Sequence, residues 1–260
     1  MDKSKAFGTG RLTALYSVLY LIIFLVFYIP NYIFPDYFLE LPDGALNVFL
    51  IFRDALERLV QFFVPLSAAT YLLLRSAKRG IRSIFLPSLL SALPSLVYAV
   101  PYCYLYALSQ GFDSVEGLMI SALLSVVGVV LLALEIVALM FVCRAVLGFA
   151  IGRGLTGSVA ERRLAVQEKL DGALLAEGVF NLSSPLSRGI FASGLAIFAV
   201  QTVGEIISVV TSLSQDGAYY EVWDVVYVAC TFLFMLVELL GCHAACYYIA
   251  KSIKNKENDD

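Results

Sequence analysis

The feature that most constrains this chain is the apolar run at 222–250, which carries Glu238 near its middle. A helix needs about 20 predominantly apolar residues to cross a bilayer, and this run is long enough. An ionisable side chain at that depth is costly unless it faces protein or water, so Glu238 is a candidate functional residue. The rest of the chain also favours a lipid solvent, because 60% of its 260 residues are hydrophobic and only 15% are charged.

Six apolar runs predict an all-α polytopic membrane protein with six transmembrane helices in a single membrane domain, 1–260. The predicted spans are 12–34, 59–74 with a helical lead-in from residue 45, 84–108, 118–143, 189–213 and 222–250. Every Lys and Arg except Arg53 and Arg58 falls on one side of these spans. By the positive-inside rule that side is cytoplasmic, so the sequence predicts a multi-pass protein of the cell membrane with both termini in the cytoplasm.

Charge and motifs exclude several functions. The net charge of −3 leaves no basic face for nucleic acid. The five cysteines lie in apolar runs without C-x-x-C spacing, and His243 with Cys246 supplies too few ligands for zinc, so neither a metal site nor a cofactor is predicted. The G-x-G-x-x-G match at 152–157 follows a membrane helix rather than a strand, which indicates a glycine hinge. No catalytic motif is present, and an enzyme acting on lipid is the least supported function.

The third span is interrupted by prolines at intervals of seven, so they lie near one side of the helix. Each proline removes a backbone hydrogen bond, and nearby serine hydroxyls are placed either to bond carbonyls or to line a wet cavity. Broken, polar-lined helices occur in transporters, although membrane helices also use proline for shape alone. The predicted kink positions are Pro87, Pro94 and Pro101, and the predicted lining serines are Ser91 and Ser95.

Each of the last three spans presents one polar stripe that bears one glutamate. Helices show this pattern when their polar sides meet and their apolar sides face lipid. Span four carries Ser121, Ser125, Gly128 and Glu135; span five carries Gln201, Glu205 and Ser208; span six carries Asp224, Thr231 and Glu238.

The depths of these carboxyls motivate a functional hypothesis. Glu135 and Glu238 are both predicted about 13 Å above the cytoplasmic interface, while Glu205 and Asp224 belong nearer the outer side. With no Lys or Arg expected inside the membrane to pair with the glutamates, a desolvated carboxyl binds a proton more readily. The sequence therefore predicts a small-solute carrier or permease component whose interior binds protons or cations. The alternative for the glutamates is a structural role, protonated and hydrogen-bonded between helices.

Two further patterns lie near the N-terminus, one of tyrosines and one of charged residues. Tyr16 and Tyr20 share a helix face with two later tyrosines, which indicates either packing or the wall of a cavity for an aromatic solute. In the lead-in to span two, Arg53 and Arg58 are spaced to pair with Glu57 and Asp54 at i,i+4, which predicts a neutralised cluster at the headgroup level.

The cytoplasmic loop at 144–188 supports a second function. A capping box begins an amphipathic helix at 158–178, whose apolar face carries Leu164, Leu170 and Leu174. Such a helix lies on the bilayer surface or docks to a protein partner. The alternative function is accordingly a non-transporting membrane subunit or scaffold that recruits a cytoplasmic or membrane partner through this helix.

Overall fold

The structure is a computed structural model that describes residues 9–28, 43–76, 82–152, 185–216 and 222–257. Within these ranges the chain is helical apart from one short turn, and no strand is present, which confirms the all-α prediction. The elements are α1 Thr9–Tyr28, α2 Asp43–Ser76, α3 Arg82–Ala92, a 3₁₀ turn Leu93–Ser95, α4 Leu96–Ser109, α5 Ser114–Gly152, α6 Pro185–Asp216 and α7 Val222–Glu257.

Among the described residues, four stretches are long and apolar enough to cross a membrane: Ile84–Ser109, Ser114–Val146, Leu186–Ile207 and Val228–Ser252. They coincide with the predicted spans three to six. The apolar part of α1 is shorter, at Gly10–Val26. The chain therefore has the helices of a transmembrane protein.

The helix that begins with the charged lead-in is the centre of the bundle. α2 packs against α1, α3, α5, α6 and α7. From Phe62 to Leu73 nearly every side chain is buried, and the Ser67 and Thr70 hydroxyls in this stretch are hydrogen-bonded. Ser67 bonds the Tyr16 hydroxyl at 2.8 Å and Thr70 donates to the Leu66 carbonyl, so the polar groups of α2 do not destabilise its enclosed face.

The predicted break in span three occurs at one proline. Pro94 lies in the 3₁₀ turn that separates α3 from α4, whereas Pro87 and Pro101 remain inside α-helices. The serine hydroxyls bond carbonyls of the preceding turn: Ser91 donates to Pro87 and Ser95 to Ala92. A turn of 3₁₀ helix inside a longer helix marks a place where the helix axis can bend.

Close contacts hold α5 and α6 beside their neighbours. Ser121 on α5 donates to the Val100 carbonyl of α4 at 2.6 Å, and Ser193 on α6 donates to the Leu139 carbonyl of α5 at 3.2 Å. A Cβ at Gly194 would lie 2.9 Å from the Leu239 side chain, so the missing side chain lets α6 approach α7 closely.

Several predictions lie outside the described residues. They are the end of the first predicted span beyond residue 28, both chain termini, and the cytoplasmic helix at 158–178 with Leu164, Leu170 and Leu174. α5 itself continues to Gly152, past the predicted span end at 143.

Candidate functional site

A cavity of about 620 Å³ lies between α1, α2, α4, α5 and α6. This volume is in the range of sites that enclose small organic ligands. Its wall along α5 runs from Gly128 to Val142, roughly 21 Å at 1.5 Å per residue. Most of the wall is aliphatic. Its polar side chains come from five helices and the 3₁₀ turn and are Tyr20, Glu57, Gln61, Ser95, Tyr98, Glu135 and Gln201.

The Glu57 carboxylate is held at the cavity by two side-chain hydrogen bonds. The Tyr98 hydroxyl donates to its Oε1 at 3.2 Å, and the Gln61 amide nitrogen donates to the same oxygen at 3.0 Å. The Tyr98 ring is stacked on Tyr102, with centroids 5.5 Å apart. Two donors, one held by ring stacking, thus fix the Glu57 carboxylate at the cavity wall.

Glu135 and Gln201 bring two of the predicted polar stripes to the same cavity. The Glu135 side chain on α5 is exposed and forms part of the cavity wall. Gln201 on α6 also lines the cavity, and its side-chain Oε1 is buried with no hydrogen-bond partner among the described residues. A buried acceptor left unpaired is unfavourable, so Gln201 Oε1 would gain from a hydrogen-bond donor that the described residues do not supply.

Glu205 lies outside the cavity and is paired with a cation. Arg58 on α2 donates from Nη1 to Glu205 Oε1 on α6 at 3.0 Å, and the Arg58 side chain is only 10% exposed. This ion pair corrects the expectation that no Lys or Arg would meet the glutamates. It arises because the charged lead-in of α2 packs against α6, which places Arg58 across from a residue 147 positions later. Arg53, by contrast, bonds its neighbour Asp54 at 3.0 Å.

Glu238 on α7 belongs with this pair rather than with Glu135. Its side chain is 5% exposed, both carboxyl oxygens lack a hydrogen-bond partner among the described residues, and Arg58 is within electrostatic range. The Nε and Nη2 atoms of Arg58 are likewise buried and unpartnered. We call Arg58, Glu205 and Glu238 the Arg58 cluster; it joins α2, α6 and α7.

The remaining predicted residues are distributed around these two sites. Ser95 lines the cavity, whereas Ser91 and Ser121 are buried and bonded to backbone carbonyls. The Ser125 and Thr231 hydroxyls are buried with no partner among the described residues. The side chains of Ser208 and Asp224 lie outside the described residues, although both positions are helical.

The described residues offer no grouping of three or more His, Cys, Asp or Glu side chains that could hold a metal ion. His243 has a different environment. Its Nε2 is 3.2 Å from the Ser187 hydroxyl, and its ring meets Phe191 edge to face. These contacts tie α7 to the beginning of α6 and indicate a packing role.

Sequence reasoning missed Glu57, Gln61 and Tyr98 as cavity residues. One signal was available: Glu57 and Gln61 are spaced i,i+4 on one face of α2, directly before the apolar part of that helix. Tyr20, one of the tyrosines with two open interpretations, lines the cavity, while Tyr16 is fully buried against Ser67.

Comparisons with protein-family models, with curated proteins and with solved structures found no match, and the chemistry of the site therefore rests on its own geometry.

Proposed function

We propose that this chain is a small-solute carrier, or the permease component of a transporter, with a polar interior that binds protons or cations. The observation that carries the proposal is the cavity itself. It places Glu57, Glu135 and Gln201 around a ligand-sized space in a bundle of apolar helices. Acidic side chains in such a setting are costly, and a binding or translocation pathway is the usual reason for them.

In the proposed arrangement, six spans cross the cell membrane and both termini are cytoplasmic. α1 and α2 provide the first two spans alongside the four apolar stretches between Ile84 and Ser252. The ion pair between Arg58 and Glu205 supports this topology, because the basic residues place Arg58 on the outer side and Glu205 is also predicted near that side. Asp224, at the start of α7, is proposed to belong to the same outer entry.

The two acidic sites have different proposed roles. Glu135 and Gln201, with Ser95, contact the solute or ion in the cavity. In the Arg58 cluster, the guanidinium is bonded to Glu205 and has Glu238 only within electrostatic range, so Glu238, whose oxygens have no hydrogen-bond partner among the described residues, is the proposed proton carrier. Ser91, Ser121, Ser125, Ser208 and Thr231 complete the polar interior. Pro94, between Pro87 and Pro101, is the proposed hinge that lets α3 and α4 move relative to each other.

Filling the cavity should stop transport. Gly128 lines the cavity, and a Cβ at this position has nothing within 4 Å, so Gly128→Trp adds bulk to the cavity without a clash at the backbone. In proteoliposomes given a defined mixture of amines, amino acids, sugars, nucleosides and carboxylic acids, we expect the purified protein to accumulate at least one solute. Mass spectrometry of the vesicle contents should show that Gly128→Trp reduces this uptake to the level of empty vesicles.

Gly241→Trp is the matched control, because Gly241 is equally open but lies on α7 outside the cavity lining. It should transport like the unmodified chain. The carrier proposal fails if no solute enters above empty vesicles, or if the two tryptophan variants transport equally well.

A further inference from the structure

The charge of the cavity indicates the charge of its occupant. Glu57 and Glu135 both line it, and none of the described residues in its lining is Lys or Arg. Arg58, which follows Glu57 in the chain, pairs with Glu205 and, like Arg53, also lies within electrostatic range of Glu57, whereas neither arginine is among the charges that act on Glu135. A cationic ligand would compensate the carboxylates of the lining, above all Glu135, while an anion would meet like charge.

The hydrogen-bonding groups of the wall point to a ligand that donates hydrogen bonds. The Tyr98 hydroxyl already donates to Glu57, and the Ser95 hydroxyl already donates to the Ala92 carbonyl. Gln201 Oε1 is a buried acceptor without a partner among the described residues. The Tyr20 hydroxyl and the Gln201 amide group can also donate, but with the oxygens of two carboxylates the lining offers more acceptors than donors, which suits an ammonium group with several N–H donors.

The rest of the wall suits an apolar body attached to that cation. Aliphatic side chains of α5 and α6 cover most of the cavity, including Leu132, Leu139 and Val200. Tyr20 and Tyr98 add aromatic rings, which attract cations by their π faces. An inorganic cation has no apolar part, so it would leave the aliphatic wall of the cavity in contact with water.

We propose that the cavity binds a protonated amine with an apolar body, its ammonium group held by a carboxylate of the lining, Glu135 or Glu57. This inference names the solute class of the proposed carrier and rests on that proposal for movement across the membrane. Binding itself requires only the cavity.

Three ligands that share one body test the proposal on the purified chain in detergent. Dansylcadaverine carries a primary ammonium group, its N-acetyl derivative is neutral, and its N,N,N-trimethyl derivative keeps the charge but has no N–H donor on the cationic nitrogen. Equilibrium dialysis should rank the amine tightest, the trimethyl form weaker and the acetyl form at least about tenfold weaker than the amine, since hydrogen bonds to charged groups contribute strongly. This ranking needs no variant.

The variant Glu57→Gln with Glu135→Gln should remove the preference of the chain for the amine over its acetyl form. Glu116→Gln, a neutralisation at an exposed position in the first turn of α5, should keep it. Equal binding of all three ligands, or a preference unchanged in the double variant, overturns the proposed solute class. Uptake of a different solute without amine binding overturns the class and leaves the carrier intact. Amine binding without uptake of any solute leaves the site intact and overturns the carrier.

Discussion

Replacing Arg58 by methionine will destabilise the folded chain by about 3 kcal/mol, because removing one partner of a buried ion pair leaves the other charge uncompensated. Glu205 and Glu238 both depend on this guanidinium, and the Arg58 side chain is only 10% exposed. Methionine preserves most of the length and the packing of the stem. We expect the midpoint of thermal unfolding in detergent to fall by about 6–12 °C for a chain of this size.

Two further variants separate this effect from a general loss of packing. Adding Glu205→Gln to Arg58→Met should recover part of the lost stability, because it removes one of the stranded carboxylates. Arg53→Met is the matched control: Arg53 is 25% exposed and bonds the adjacent Asp54, so its loss should cost less than about 1 kcal/mol. Equal destabilisation by Arg58→Met and Arg53→Met would contradict the ion-pair account.

Glu135→Gln will lower the initial rate of uptake at least tenfold for the solute that the unmodified chain accumulates. Glutamine has nearly the same shape as glutamate but cannot carry the negative charge or the proton. A charge-assisted hydrogen bond contributes about 1.5–3 kcal/mol, and each 1.4 kcal/mol corresponds to a factor of ten. Glu135 is the carboxylate that α5 brings to the cavity, so the loss should appear in uptake rather than in stability. The measurement is a time course of uptake in proteoliposomes.

The same substitution at Glu116 provides the control on the same helix. Glu116 is exposed in the first turn of α5, well away from the cavity lining. Its neutralisation should leave uptake unchanged. Uptake at the normal rate in Glu135→Gln would show that this carboxyl takes no part in transport.

Apolar run length and polar spacing were enough to predict most of the helices and one side of the site. The predicted spans three to six coincide with the four stretches of the described residues that are long and apolar enough to cross a membrane. The stripes on spans four and five meet at the cavity through Glu135 and Gln201. Such spacing reports which residues share a face of one helix, and the face with polar groups turns inward because lipid cannot solvate it.

Spacing within one helix does not report which helices are neighbours. For that reason the sequence pattern of Arg58 indicated a partner four residues away, whereas the structure pairs it with Glu205 on α6. Glu57 was assigned to the same headgroup cluster, although Tyr98 on α4 holds it at the cavity. Glu135 and Glu238 were predicted at the same depth, but depth does not indicate toward which neighbouring helix a side chain points. In the structure the two carboxyls belong to different sites.

The central claim is that Glu135 faces a water-accessible cavity rather than lipid. The most direct measurement is the rate at which a water-soluble, cationic methanethiosulfonate labels Glu135→Cys and Leu134→Cys in membranes, with the five native cysteines replaced. A thiol reacts as its thiolate, which needs water. Leu134 is the adjacent residue, 50% exposed on the outer surface of α5 and absent from the cavity lining. The account predicts that Glu135→Cys is labelled much faster than Leu134→Cys; labelling of Glu135→Cys at the same rate or more slowly would contradict it.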